Sequence, residues 1–450
     1  MKYESQKIAY NYFTLATLLF GLQVIFGLIT GTKYVWDYDP LINILPFNIS
    51  RAIHLNLLVF WLLLGFMGGT YYLVPEEAET EIYSTRLADL QLYLFAVIGF
   101  TAIIGYIAGW SWGMPFLEQP VILKIGIVVV ALIFLFNIFM TMMKTKKWTV
   151  IQGTLLGGLV MLALLFPFGM FFMKNLTTQY YYWWWVIHLW VEGAWELIAG
   201  SIMAFILLKL TGVDRKLVEK WLYVEIGLVL FTGIAGTGHH YYWIGTPQYW
   251  LWVGGIFSAL EPVPILFMVI DTLRDVREKR IEIENKIALY WAVGCAVLHF
   301  LGAGVWGFAH TLPQINQWTH GTQVTASHGH FAFFGAYVML NLTMIYFALP
   351  RLKKIRLFER GLSLIALRTM TFSMVFMSLA FAIAGIVQAY LQRVLGMDYL
   401  TTQGFMKLWY IVVWVAAWGF AIGVSVYVVD FFAIGRLKKE DENGNNPGSH

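Results

Sequence analysis

Cysteine, charge and polar linkers are all scarce in this sequence, and each scarcity excludes something. Cys295 is the only cysteine among 450 residues, and it lies inside an apolar stretch. Disulfides, thiolate metal clusters and a covalently attached c-type haem, which needs C-x-x-C-H, are thereby excluded. Charged residues make up 12% of the chain against 59% hydrophobic ones. A soluble domain of this size carries roughly twice that charged share. No low-complexity stretch or linker divides the chain, so residues 1–450 are expected to form a single integral-membrane domain. The net charge of +4 is distributed as a membrane would dictate. It gives no sign of a nucleic-acid partner; the partner demanded is the lipid bilayer.

What is present is a series of apolar runs of about 20 residues, each long enough to cross a hydrocarbon core of roughly 30 Å. Hydropathy predicts an all-α membrane protein of about twelve spans. The first six are Tyr12–Thr32, Arg51–Val74, Leu90–Trp110, Pro120–Met143, Trp148–Met173 and Tyr180–Leu208. The second six are Trp221–Tyr242, Tyr249–Asp271, Lys286–Ala309, Thr322–Leu349, Ala366–Leu391 and Phe405–Phe432. The segment before the first span holds Lys2, Glu4 and Lys7 and no small-residue cleavage site, as expected of a retained helix rather than a signal peptide.

Basic residues crowd alternate connections. They include Lys144, Lys146 and Lys147, then Arg215, Lys216 and Lys220, then Arg274, Arg277, Lys279 and Arg280. Arg351, Lys353, Lys354, Arg356 and Arg360 continue the series, and Arg436, Lys438 and Lys439 end it. The positive-inside rule then places both short terminal tails in the cytoplasm. The loop from Glu76 to Arg86 is acidic on that same side, which acidic residues do not determine. Aromatic clusters such as Tyr180 to Trp185 read mainly as an interfacial belt.

Seven of ten histidines fall within expected spans: His299 and a set of six, His54, His188, His239, His240, His328 and His330. With alternating helix direction all six reach the outer half of the membrane. A lone histidine there, such as His299, reads as a hydrogen-bonded packing residue. Six at one level point to ligands, because polar groups in hydrocarbon are costly unless paired or bound.

His328 and His330 are two apart, about 200° around a helix, so they serve two different groups on opposite faces. Imidazole is a common axial haem ligand, and Gly329 between them leaves room for flat macrocycles. His239 and His240 end their helix after Gly236 and Gly238, where the backbone can bend until both rings face one metal. His188 offers a third nitrogen, with Glu192 at i+4 and Glu196 a further turn away. Three imidazoles with a hard carboxylate oxygen favour iron over copper. Glu261, in Ser258-Ala259-Leu260-Glu261-Pro262, is a further intramembrane carboxylate at similar depth.

This order of helix-borne ligands, H…HxxxE…HH…HxH, resembles the haem–copper oxidase superfamily, and within it the nitric oxide reductase branch of the cytochrome-c-dependent type. Trp183 to Glu196, Gly236 to Trp243, Phe257 to Pro262 and Thr319 to Phe331 carry the resemblance, with Pro46 to Leu58 and Tyr72 to Glu77. It implies a haem–copper oxidase-like bundle. His54 and His330 would ligate a low-spin haem b, and His328 a high-spin haem b. His188, His239, His240 and Glu192 would hold a non-haem iron, with Glu196 and Glu261 as catalytic carboxylates close by. The reaction implied joins two nitric oxide molecules, with two electrons and two protons, to nitrous oxide and water.

Glu118, in Phe116-Leu117-Glu118-Gln119-Pro120, is the candidate proton entrance from the outer side, since no row of acidic residues is read across the inner helix halves. Just before it the family carries an Arg-Glu pair whose carboxylate helps bind calcium. Met114-Pro115 stand there in this chain, which leaves calcium undecided. Quinol-dependent relatives have a fused N-terminal extension that this sequence lacks. With no C-x-x-C-H either, the resemblance implies a separate membrane-anchored cytochrome c subunit as electron donor. Two other readings compete. An oxygen-reducing terminal oxidase requires copper and no Glu192, and a haem carrier leaves His188, His239, His240 and Glu192 without a purpose.

Overall fold

The computed structural model describes residues 1–36, 38–112, 114–145, 147–355 and 361–434. The basic residues Lys146, Arg356, Arg360, Arg436, Lys438 and Lys439 lie outside them. Every regular element among the described residues is helical. The first six long helices are α1 (Glu4–Val35), α2 (Phe47–Ala78), α3 (Thr85–Ile107), α4 (Val121–Met142), α5 (Val150–Met170) and α6 (Leu176–Thr211). After them comes α7 (Arg215–Gly236). The last five are α8 (Gln248–Glu278), α9 (Lys286–Thr311), α10 (Gln323–Leu352), α11 (Gly361–Val394) and α12 (Tyr399–Ala433).

Eleven of these helices are long and apolar enough to cross a membrane, against about twelve expected from sequence. The exception is α7, expected as Trp221–Tyr242. It forms, but it begins at Arg215 and includes Lys216, Glu219, Lys220 and Glu225, which dilute its apolar length. It ends at Gly236 and passes into a 3₁₀ turn over Thr237–His240.

Burial separates the helices into two kinds. The apolar windows of α2, α6 and α10 are almost wholly enclosed, whereas the other spans bury about a third to just over half of theirs. Their remaining apolar side chains, such as Leu132, Phe372 and Ile422, face outward as a surface facing lipid would. The three enclosed helices carry four of the six histidines and two of the three intramembrane carboxylates singled out above, because a bundle interior is where such groups find partners.

Small residues allow close helix contact, as expected for Gly65 to Gly69. A Cβ on Gly65 would overlap the Asn341 side chain of α10, and one on Gly68 would press on Phe13 of α1. Gly335 lets α10 approach the Leu298 backbone of α9, and Gly385 brings α11 onto the Val324 backbone of α10.

Ion pairs tie the basic end together, and they use the acidic loop that the charge pattern left unexplained. Arg215 donates to both oxygens of Glu77 at 2.9 Å, and Thr149 Oγ1 donates to Glu77 at 2.9 Å. Lys209 pairs with Glu76 at 2.8 Å, and Lys220 with Asp271 at 2.9 Å. Glu81 accepts from the backbone N–H groups of Glu4 and Ser5, fixing the start of α1.

Candidate metal centre and flanking histidines

Helix α6 departs from α geometry where its chemistry lies. It is α-helical to His188 and π-helical over Leu189–Ala194, and it resumes as α-helix at Trp195. The widened turn holds Glu192, with Gly193 under the Met161 methyl of α5. Across from it, the 3₁₀ turn over Thr237–His240 presents two consecutive rings inward. A regular helix would send them about 100° apart.

Four ligand atoms, one each from His188, Glu192, His239 and His240, lie within 4.8 Å of one another. His188 Nδ1 is 3.1 Å from His240 Nε2 and 3.4 Å from Glu192 Oε2. Glu192 Oε1 stands 3.6 Å from His239 Nε2 and 3.4 Å from His240 Nε2. Metal–ligand bonds of about 2.1 Å put neighbouring ligand atoms roughly 3 Å apart, so this donor set fits one ion. The outer ring nitrogen of His188 donates to the Gly233 carbonyl at 2.6 Å, which leaves Nδ1 free to ligate. Trp184 lies over His240, with ring centres 4.3 Å apart and planes at 11°.

His54 and His330 face each other from α2 and α10, with ring centres 6.4 Å apart and planes at 30°. Each gives its Nδ1 to a backbone carbonyl, Gln23 for His54 at 2.9 Å and Ala326 for His330 at 2.8 Å. That pattern leaves the two Nε2 atoms without a backbone carbonyl partner and available as ligands. With metal–imidazole bonds of about 2 Å and a ring-centre offset of ~1 Å, two rings sharing an axial metal have centres about 6 Å apart. The pair therefore fits an axial haem. The Gln23 side-chain amide also reaches His54 Nε2 at 3.3 Å, and a Cβ on Gly27 would come within 2.8 Å of the ring.

His328 points the other way, as spacing demanded. Its Nδ1 donates to the Gly302 carbonyl of α9 at 3.1 Å, and Gly307 passes its ring so closely that a Cβ would stand 2.8 Å away. Glu192 and His239 act on it electrostatically, which sets it on the side of the four-ligand cluster. A Cβ on Gly329, between the two histidines, would meet nothing within 4 Å.

The remaining carboxylates approach the cluster from its inner side. Thr232 Oγ1 donates to Glu261 Oε1 at 3.4 Å, and Gly236 lies between that oxygen and the His188 ring. Glu196 Oε1 accepts from Tyr337 Oη at 2.9 Å and lies 3.4 Å from His299 Nε2. Glu118 sits in the connection between α3 and α4 and is not part of this group. It accepts from Asn56 Nδ2 at 2.8 Å, and burial pushes its carboxyl up to about 7.

Sequence reasoning missed several of these residues. Trp184 was absorbed into the aromatic belt, and His299 and Tyr337 gain meaning only through Glu196. Gln23 had no signal beyond being a polar residue in an apolar helix. His310, which no motif singled out, lies 3.0 Å from Thr319 Oγ1, with its ring centre 6.2 Å from that of His328.

Comparison with known proteins agrees with this arrangement. Residues 7–422 match the family described as cytochrome c and quinol oxidase polypeptide I. The chain is 47% identical over 459 residues to a nitric oxide reductase subunit of Stutzerimonas stutzeri, covering 97% of this chain and 96% of that protein. The solved structure of a haem–copper terminal oxidase dimer superposes with a TM-score of 0.73 over 95% of this chain and 83% of that one. Its sequence identity is only 14%, so that likeness concerns the fold. The chain belongs to the haem–copper oxidase family, within its nitric oxide reductase group.

Proposed function

We propose that this chain reduces two molecules of nitric oxide to nitrous oxide and water, taking two electrons and two protons. The observation that carries the reading is Glu192 inside the cluster of His188, His239 and His240. An oxygen-reducing oxidase has no use for a hard carboxylate beside its copper, whereas iron accepts one. The 47% identity to the nitric oxide reductase of Stutzerimonas stutzeri favours the same branch.

The family implies haem and metal cofactors. In this reading His54 and His330 hold a low-spin haem b, and His328 holds a high-spin haem b. His188, His239, His240 and Glu192 hold a non-haem iron. The paired irons would supply the electrons and the charge stabilisation needed to bring two nitrogen atoms together.

The chain's own contribution is orientation and proton handling. The Gly233 carbonyl fixes the ring of His188, and Trp184 fixes that of His240. Glu261 and Glu196, both about 5% exposed, hold protons beside the cluster for the oxygen that leaves as water. Glu118 takes protons in from the outer side. Met114-Pro115 bring no carboxylate to a calcium ion, so any calcium would need another ligand. A membrane-anchored cytochrome c subunit delivers electrons, because the chain has no C-x-x-C-H of its own. Both termini face the cytoplasm and the histidine-bearing half faces the periplasm of a bacterial inner membrane, as the basic residues gathered at the opposite end support.

The test is metal content and nitric oxide consumption of the purified complex, beside a Glu192→Ala variant. Two haem b, one non-haem iron and no copper are expected. The variant should lose the non-haem iron and at least about a hundredfold in turnover. Copper in the native protein, or oxygen reduction untouched by the change, would overturn the reading.

A further inference from the structure

A carboxylate outside the cluster also lies deep in the bundle. Glu225, on α7, is 1% exposed, and neither of its carboxyl oxygens has a hydrogen-bond partner. An ionised carboxylate in that state would cost many kcal/mol, so the group is buried as the neutral acid. It is also accommodated. A Cβ on Gly200 of α6 would overlap its carboxyl group, so the glycine leaves the space that the acid fills.

Its position gives it meaning. Gly200 is one helical turn inward of Glu196, which itself is one turn inward of the ligand Glu192. Glu196 is the ionisable neighbour that acts on Glu225. Glu196 has one oxygen occupied by Tyr337 and His299, and its other oxygen, Oε2, is buried and unpartnered. An acid with a proton to give and a carboxyl group with an open oxygen thus lie a turn apart.

We infer that Glu225 is a proton reservoir for the reaction, a positioning residue that reloads Glu196 after that group has given its proton toward product water. This rests on the reductase reading above. In the step proposed, the O–H bond of Glu225 breaks and an O–H bond forms on Glu196. Glu225 is left as a carboxylate, which takes a proton back from water before the next turnover. Two protons are consumed per pair of nitric oxide molecules, and a store behind Glu196 lets that group deliver again within one turnover.

The experiment compares the native complex with Glu225→Gln and Glu225→Asp by two readouts. Infrared difference spectra between oxidised and reduced protein should show a protonated-carboxyl carbonyl band that Glu225→Gln abolishes and Glu225→Asp restores in shifted form. Single-turnover nitric oxide reduction should slow roughly tenfold in the proton-coupled phase of Glu225→Gln and recover in Glu225→Asp. Haem spectra and metal content should match the native protein in both, which separates a lost proton store from a damaged fold. A band that survives in Glu225→Gln, or a full rate in that variant, would overturn the inference. Absence of nitric oxide consumption by the native complex would instead overturn the reductase reading, leaving the infrared result to stand alone.

Discussion

At the scale of single residues the protein is governed by where polar groups find partners in an apolar interior. Glu118 is the residue whose chemistry is most directly testable. Its carboxyl, pushed up to about 7 by burial against one good donor from Asn56, keeps its proton below that pH and loses it above. If protons enter through it, turnover limited by entry falls as pH rises through about 7. Glu118→Gln should lower the plateau roughly tenfold and flatten that limb, while haem spectra stay unchanged. A profile identical to the native one would take Glu118 off the path. The clustering of the histidines was legible in the sequence because histidine in hydrocarbon is expensive and so rarely idle. Spacing alone set His328 and His330 on opposite faces of one helix, and the structure turns them to α9 and to His54 respectively. Glu225 was not legible. It stands among the charged residues that open α7, and only the approach of Gly200 shows that it is enclosed.

At the scale of helices, the departures from regular geometry follow the site. Apart from Tyr390–Val394 at the end of α11, the π-helical stretches among the described residues begin just after His188, just after His299 and four residues after His330. Each widens a helix where a side chain must aim at a partner, as such turns commonly do at functional sites. Hydropathy could not announce them, since they change backbone winding and leave composition alone. Glycine contacts fix the helices that flank them. Gly385→Ala should force α11 away from the Val324 backbone, since a backbone atom cannot yield as a flexible side chain would. The expected cost is about 1–3 kcal/mol, seen as a lower melting temperature in detergent. A change at Gly153, where a Cβ meets nothing within 4 Å, is the control and should leave stability unmoved by packing strain. Equal melting temperatures for the two variants would show that the α10–α11 contact is looser than described.

At the scale of the whole molecule, three enclosed helices surrounded by others that face outward explain why the composition is so apolar and the site so polar. The number of spans was nearly legible. The difference of one lies in α7, whose charged opening turns lower its hydropathy although it packs as a full member of the bundle. Under the proposed function, electron supply falls to a second chain. Purified without a cytochrome c partner, this protein should reduce nitric oxide only with a small artificial reductant. Adding the membrane-anchored cytochrome should raise the rate by at least about tenfold, and full turnover with a soluble donor alone would remove the need for it.

The weak hydropathy of α7 also bears on biogenesis. The turn that closes this helix carries His239 and His240, half of the four-ligand set. Lipid alone retains such a helix poorly, whereas the salt bridges from Arg215 to Glu77 and from Lys220 to Asp271 anchor its inner end to neighbouring helices. The cage therefore depends on α7 being held by its neighbours in the bundle. A metal ion at the four-residue cluster would then depend on assembly, since without α7 only His188 and Glu192 of the four are in place.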